Sequence, residues 1–115
     1  YDAVLVDGYD INGLPTQLTT DEFYEACLNA LAPDGMMVCN FHASHPQYGS
    51  YVGRIKQRFS GSVIEVNDAA CANSIVFACR GDTLKGGAGL PKRRPDAMST
   101  EMWMRLAPTY WPMLA

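Results

Sequence analysis

Hydrophobic positions along the chain follow two rhythms, and each predicts a different kind of element. Ala3-Val4-Leu5-Val6 is apolar at every position, the pattern of a strand covered on both faces in a parallel sheet. Phe23, Tyr24, Cys27, Leu28 and Leu31 recur at helical spacing and predict a helix over 20–32. Thr19-Thr20-Asp21-Glu22 opens that helix as a capping box, Thr19 accepting from the Glu22 backbone N–H, with acidic residues suited to the helix dipole. Pro33-Asp34-Gly35 closes it, Gly35 taking the left-handed cap. Met36 to Phe41 reads as a second apolar strand. Tyr48, Tyr51, Val52, Ile55 and Phe59 form the stripe of a second helix, capped by Ser44 or His45 with Pro46 at its first position and ended near Gly61.

Ser62 to Val66 and Asn73 to Arg80 predict two further strands. The link over 67–72 is too short for a parallel crossover, so these two pair antiparallel. The first three strands, separated by helices, run parallel with right-handed crossovers. Gly81 to Asp96 is a loop, Ser99 caps a short helix carrying Met102, Trp103 and Leu106, and an apolar tail, Tyr110-Trp111-Pro112-Met113-Leu114, follows. The order β-α-β-α-β-β predicts an α/β fold in layers over residues 1–82, with 83–115 as a loop, helix and tail.

The first strand raises a difficulty. A strand apolar on both faces makes a poor sheet edge, because its unpaired backbone groups invite pairing. With Tyr1 to Asp7 already reading as strand, the expectation is that the front of a larger domain is absent, or that a second copy of the chain covers the edge as a homodimer.

Composition narrows the class. The 115 residues are 48% hydrophobic and 18% charged, the balance of one globular domain. A net charge of −3 offers no basic surface for nucleic acid, and Lys92-Arg93-Arg94 sits among Gly and Pro as a solvated loop. Cys27, Cys39, Cys71 and Cys79 lie in apolar stretches without a Cys-x-x-Cys pair, which predicts reduced, buried thiols in a cytoplasmic protein. No stretch is long and apolar enough to span a bilayer, and no signal peptide is read.

The candidate chemistry lies after the first strand. Ligands of open parallel sheets sit beyond the carboxyl ends of the strands. Asp7 ends the first strand and Asp10 follows in the loop, so both carboxylates are candidates to face that crevice. The plainer reading is that Asp10 makes an Asx turn with Asn12 and Gly13. Position alone does not choose between them. His42-x-x-His45 near Cys39 lacks a helix and a third ligand for metal. Gly49-Ser50-Tyr51-Val52-Gly53 is offset from a nucleophile elbow and opens a helix, so it is rejected.

Tyr1-Asp2-Ala3-Val4-Leu5-Val6-Asp7-Gly8-Tyr9-Asp10, Gly13-Leu14-Pro15, Leu18-Thr19-Thr20-Asp21-Glu22-Phe23-Tyr24 and Leu31-Ala32-Pro33-Asp34-Gly35 together resemble the spermidine synthase (polyamine aminopropyltransferase) family. The resemblance covers residues 1–41. It implies the C-terminal half of a Rossmann-like, methyltransferase-type domain whose last two strands are antiparallel. It also implies aminopropyl transfer from decarboxylated S-adenosylmethionine to a small-molecule amine such as putrescine. On the family pattern Asp7 is the general base, Asp10 holds the amine, and Asp7 and Gly8 border the co-substrate. Tyr9 contacts or covers substrate, or simply packs.

The chain also departs from the pattern. Asn40-Phe41-His42 stands where family members carry Gln-Gly-Glu or a similar polar group, and residues 66–74 lack the usual aromatic run, leaving Asp68 as a candidate replacement for one contact. The glycine-rich turn and acidic residue that hold adenosyl groups in this fold are not in these residues, and Gly86-Gly87-Ala88-Gly89, followed by Pro91, opens no helix that would replace them. The expectation is a piece inactive by itself. A methyltransferase using ordinary S-adenosylmethionine, or a non-catalytic dimerisation module, are the competing readings.

Overall fold

The computed structural model describes residues 1–67, 72–82, 84 and 93–110, with side chains described as far as residue 105. Strands β1 (Ala3–Val6), β2 (Met36–His42), β3 (Val63–Asn67) and β4 (Asn73–Cys79) form one sheet in the order β1-β2-β4-β3. Helices α1 (Asp21–Ala30) and α2 (Tyr48–Arg58) connect β1 to β2 and β2 to β3, and α3 (Thr100–Tyr110) follows. β1 and β2 are parallel, with Val6 beside Cys39. β4 inserts between β2 and β3 and is antiparallel to both, so β3 keeps the direction of the first two strands without touching them. The antiparallel final pair matches the expectation from its short link.

Alternation along the strands divides the sheet into two unlike faces. Met37, Cys39 and Phe41 of β2 and Ser74, Val76 and Ala78 of β4 are buried on one face. Tyr24, Cys27 and Leu31 from the α1 region and Tyr51, Val52, Ile55 and Phe59 from the α2 region pack against it as one core. Each such large apolar side chain contributes about 1.5–3 kcal/mol on burial. Ser74, fully buried there, is matched by the Tyr48 hydroxyl at 2.6 Å.

The opposite face carries Leu5, Val38, Phe77 and Ile64 in one row across all four strands. α1 and α2 pack on the other face; Leu5 here is 77% exposed, while Val38, Phe77 and Ile64 are half-buried. The apolar run of β1 predicted cover on both faces, yet β1 lies at the sheet edge with Ala3 and Leu5 exposed. Continuity of apolar residues reports what a strand requires, not which chain supplies it.

Three local expectations are corrected by backbone geometry. The N-cap of α1 is Thr20, whose hydroxyl accepts from the Phe23 N–H at 3.1 Å. Thr19 instead turns inward, and its hydroxyl donates to the Thr16 carbonyl at 2.7 Å, closing the single 3-10 turn Thr16–Leu18. After α1 the left-handed residue is Asp34, with φ 61°, not Gly35. Gly35 is needed for space: a Cβ there would stand 2.8 Å from the Ala32 carbonyl oxygen and 3.0 Å from that of Tyr1. Pro46 lies outside α2, which begins at Tyr48 with no side-chain cap. The expected end at Gly61 holds, with Ser60 at φ 54° and Gly61 at φ 80°. Ser99 caps α3, accepting from the Met102 N–H at 3.1 Å, and that helix runs longer than the short segment expected.

Cys27, Cys39 and Cys79 are free and buried, as the sequence predicted. Cys71, Asp68, Lys92, the glycine run 86–89 and the tail 111–115 lie outside the described residues. Burial pushes the Cys39 thiol up to about 12, with the neighbouring Cys27 adding to the shift. In the unfolded chain this thiol ionises near its ordinary value of 9.0. The unfolded state therefore releases a proton that the folded state keeps, and stability falls as pH rises from about 9 towards about 12. Urea midpoints measured across that window should decline, and Cys39→Ala should flatten the decline.

Tyr24 is fully buried, and its hydroxyl has no hydrogen-bond partner among the described residues. Burial, above all, raises its pKa. The ring is needed and the hydroxyl is a desolvated liability. Tyr24→Phe should leave the melting temperature unchanged or raise it, whereas Tyr24→Ala should cost about 3–5 kcal/mol in urea unfolding.

Candidate functional site

Parallel pairing brings the carboxyl ends of β1 and β2 to one end of the sheet. The register that sets Val6 beside Cys39 puts Asp7 level with Asn40, one residue on. The Asn40 amide Nδ2 donates to Asp7 Oδ1 at 3.3 Å. Asn40 alternates with the buried Cys39 and Phe41, so it belongs to the open sheet face. Its own Oδ1 is buried without a hydrogen-bond partner among the described residues. Asp7 is exposed, and no ion pair engages it or Asp10 among the described residues.

The loop after Asp7 folds back on itself at once. Asp10 and Gly13 exchange backbone hydrogen bonds, N to O, at 2.8 and 3.0 Å. One Asp10 carboxylate oxygen accepts from the Asn12 N–H at 2.7 Å. Gly13 sits at φ 102°, a conformation that L side chains rarely adopt. This is the Asx turn that the sequence left open as the plainer reading of Asp10. Ile11 forms its tip and is 99% exposed. The turn fixes one edge of the Asp10 carboxylate and leaves the group at the surface.

Gly8 and Tyr9 lie between the two aspartates. The space a Cβ on Gly8 would need is filled by Leu18 Cδ1, so glycine lets the loop pack close to the turn before α1. Tyr9 crosses to β2. Its hydroxyl accepts from the His42 N–H at 2.9 Å, and its ring stacks on the His42 imidazole with centroids 4.4 Å apart and planes 14° from parallel. Burial raises the Tyr9 pKa, the His42 hydrogen bond opposes this, and the Asp7 charge adds to the rise. The phenol therefore stays protonated at neutral pH.

A cavity of about 500 Å³ lies nearby on the helix side, lined by Leu14, Thr19, Asp21, His45, Tyr51 and Arg54 among others. Arg54 anchors its floor by donating to the Thr19 carbonyl at 2.7 Å. Asp7 and Asp10 do not line this cavity. A second cavity, about 270 Å³, is at the opposite end of the sheet against Arg58, Phe59 and Arg80. Both carboxylates are exposed at the strand ends, and neither lines either of these two cavities. His42 is exposed while Cys39 is buried beneath the helices, so the histidines and Cys39 do not converge.

Sequence reasoning placed Asp7, Gly8, Tyr9 and Asp10 in one loop, and the structure keeps them together. It missed the partners Asn40 and His42, which appeared only as a departure from the family pattern. The signal was present, since both residues end the second strand of a parallel pair. Which residue of β2 meets which residue of the loop depends on register.

Comparison with known proteins supplies the rest. No family model and no solved structure matches the chain. The polyamine aminopropyltransferase of Chromobacterium violaceum is 40% identical over 79 residues, covering 69% of this chain and 30% of that protein. The polyamine aminopropyltransferase of Neisseria meningitidis serogroup A is 30% identical over 98 residues, covering 85% of this chain and 37% of that protein. The chain therefore spans about a third of the length of the curated relatives it matches. These likenesses extend well past residue 41, and with the DGYD loop and the strand order they identify the chain as a segment of the polyamine aminopropyltransferase (spermidine synthase) family.

Proposed function

We propose that the full-length protein transfers an aminopropyl group from decarboxylated S-adenosylmethionine to a diamine such as putrescine, with Asp7 as general base. The observation that carries this reading is the Asp7 carboxylate at the end of β1, held by Asn40 and free of any ion pair among the described residues. An alkyl ammonium has a pKa of about 10, near that of lysine, and cannot attack carbon until it loses a proton. A carboxylate beside it attracts the cation and accepts that proton. The freed nitrogen lone pair then attacks the methylene carbon next to the sulfonium. The new C–N bond forms as the C–S bond breaks, and methylthioadenosine leaves as a neutral thioether. Such general-base help is worth ~10²–10⁴ in rate.

Asp10, fixed in its Asx turn, adds a second negative charge to hold the amine. Two charges about 4 Å apart interact by roughly 1 kcal/mol in water and roughly 4 kcal/mol at an intermediate dielectric near a protein surface. Asp7 and Gly8 border the co-substrate. The glycine-rich turn that holds adenosyl groups in this fold lies outside these residues, so the chain alone does not complete the site and is inactive. Three buried free thiols fit a reducing cytoplasm. Among the described residues no helix is long and apolar enough to cross a membrane.

In the full-length protein, Asp7→Asn should lower amine-dependent release of methylthioadenosine by at least ~10²-fold while co-substrate affinity changes little. Asp10→Asn should chiefly raise KM for the amine. Full turnover in Asp7→Asn would remove this residue from the mechanism.

The open edge of β1 and the apolar row through Leu5 also support self-association of the chain as a dimer. Light scattering at high micromolar concentration should give twice the monomer mass, and Leu5→Lys should return it to the monomer value.

A further inference from the structure

The Asp7 loop is tied to β2 at two points two residues apart. Asp7 meets Asn40, and Tyr9 meets His42. The second tie has two independent parts, the phenol oxygen on the His42 backbone N–H and the phenol ring on the imidazole. Both parts place Tyr9 against the protein rather than towards a ligand. Between the ties the chain has only Gly8, and immediately after them it enters the Asx turn that fixes Asp10. The positions of both carboxylates therefore depend on where Tyr9 is held. Without the clamp, Gly8 on one side and Gly13 at φ 102° on the other would let the segment swing as a flap.

We infer that Tyr9 and His42 form a positioning pair, in which Tyr9 acts through His42 to fix the Asp7 and Asp10 carboxylates, rather than contacting substrate itself. This rests on the aminopropyl-transfer reading for its catalytic consequence, but not for its structural one. It also gives a role to the departure at residues 40–42, where this chain places a strand-end amide and imidazole as partners of its own loop.

Two measurements separate the inference from the reading beneath it. In this chain, hydrogen exchange of the Asn12 and Gly13 amides reports the turn that holds Asp10. His42→Ala removes the ring partner but keeps the backbone donor, and touches neither amide. It should speed exchange at both by about tenfold, the size an aromatic pair supports, and His42→Phe should restore protection. Unchanged exchange in His42→Ala overturns the inference, whatever the protein catalyses. In the full-length protein, His42→Ala and Tyr9→Leu should each lower kcat about tenfold and raise KM for the amine to the same extent, and the double variant should be no worse than either single one. A rise in KM confined to the Tyr9 variants, with His42→Ala silent, would make Tyr9 a substrate contact and overturn the positioning role. Absence of aminopropyl transfer in the unaltered full-length protein would sink the functional reading, while the exchange result would still decide the clamp.

Discussion

Parallel pairing of β1 with β2 is the constraint on which the rest of this structure depends. Once Val6 lies beside Cys39, the residues that follow each strand emerge at the same end of the sheet. Asp7 then reaches Asn40 and Tyr9 reaches His42 without any long-range adjustment. A slip of one residue would turn Cys39 out of the core and Asn40 into it, exchanging an apolar contact for a buried amide. The hydrophobic face therefore enforces the register, and the register in turn places the polar groups. The geometry of the Asp7 loop is inherited from core packing.

The helices serve the same end from the other side. α1 and α2 press one sheet face through Tyr24, Leu31, Val52 and Ile55, and this fixes the plane from which the strand ends project. Arg54 of α2 reaches the Thr19 carbonyl and so ties the second helix to the segment leading from the Asp10 turn into α1. The loop carrying the two aspartates is thus bounded at both ends by ordered structure, β1 before it and the Thr16–Leu18 turn after it. Its tip, Ile11, is almost fully exposed. A short loop with both ends held is a suitable place for paired carboxylates, since it exposes charge without requiring that the charge be buried.

On the other sheet face a row of apolar side chains crosses all four strands, and β1 is an edge strand among the described residues. Leu5 is the exposed end of that row, while Val38, Phe77 and Ile64 are half-buried. The matched stretch is about a third of the length of the curated relatives.

The pattern of apolar residues was enough to determine the element order, the antiparallel final pair, the helix stripes and the burial of Cys27, Cys39 and Cys79, because side-chain periodicity and loop length are local properties. The ordered run of motifs through residue 41 also gave the family. Cap positions shifted by a residue, Thr20 for Thr19 and Asp34 for Gly35, because neighbouring residues of similar chemistry compete and only backbone dihedrals choose. The insertion of β4 between β2 and β3, the edge position of β1, and the partners of Asp7 and Tyr9 were decided by tertiary structure alone. Each depends on which strands lie side by side and in what register, and that is a property of the packed core as a whole rather than of any stretch of chain.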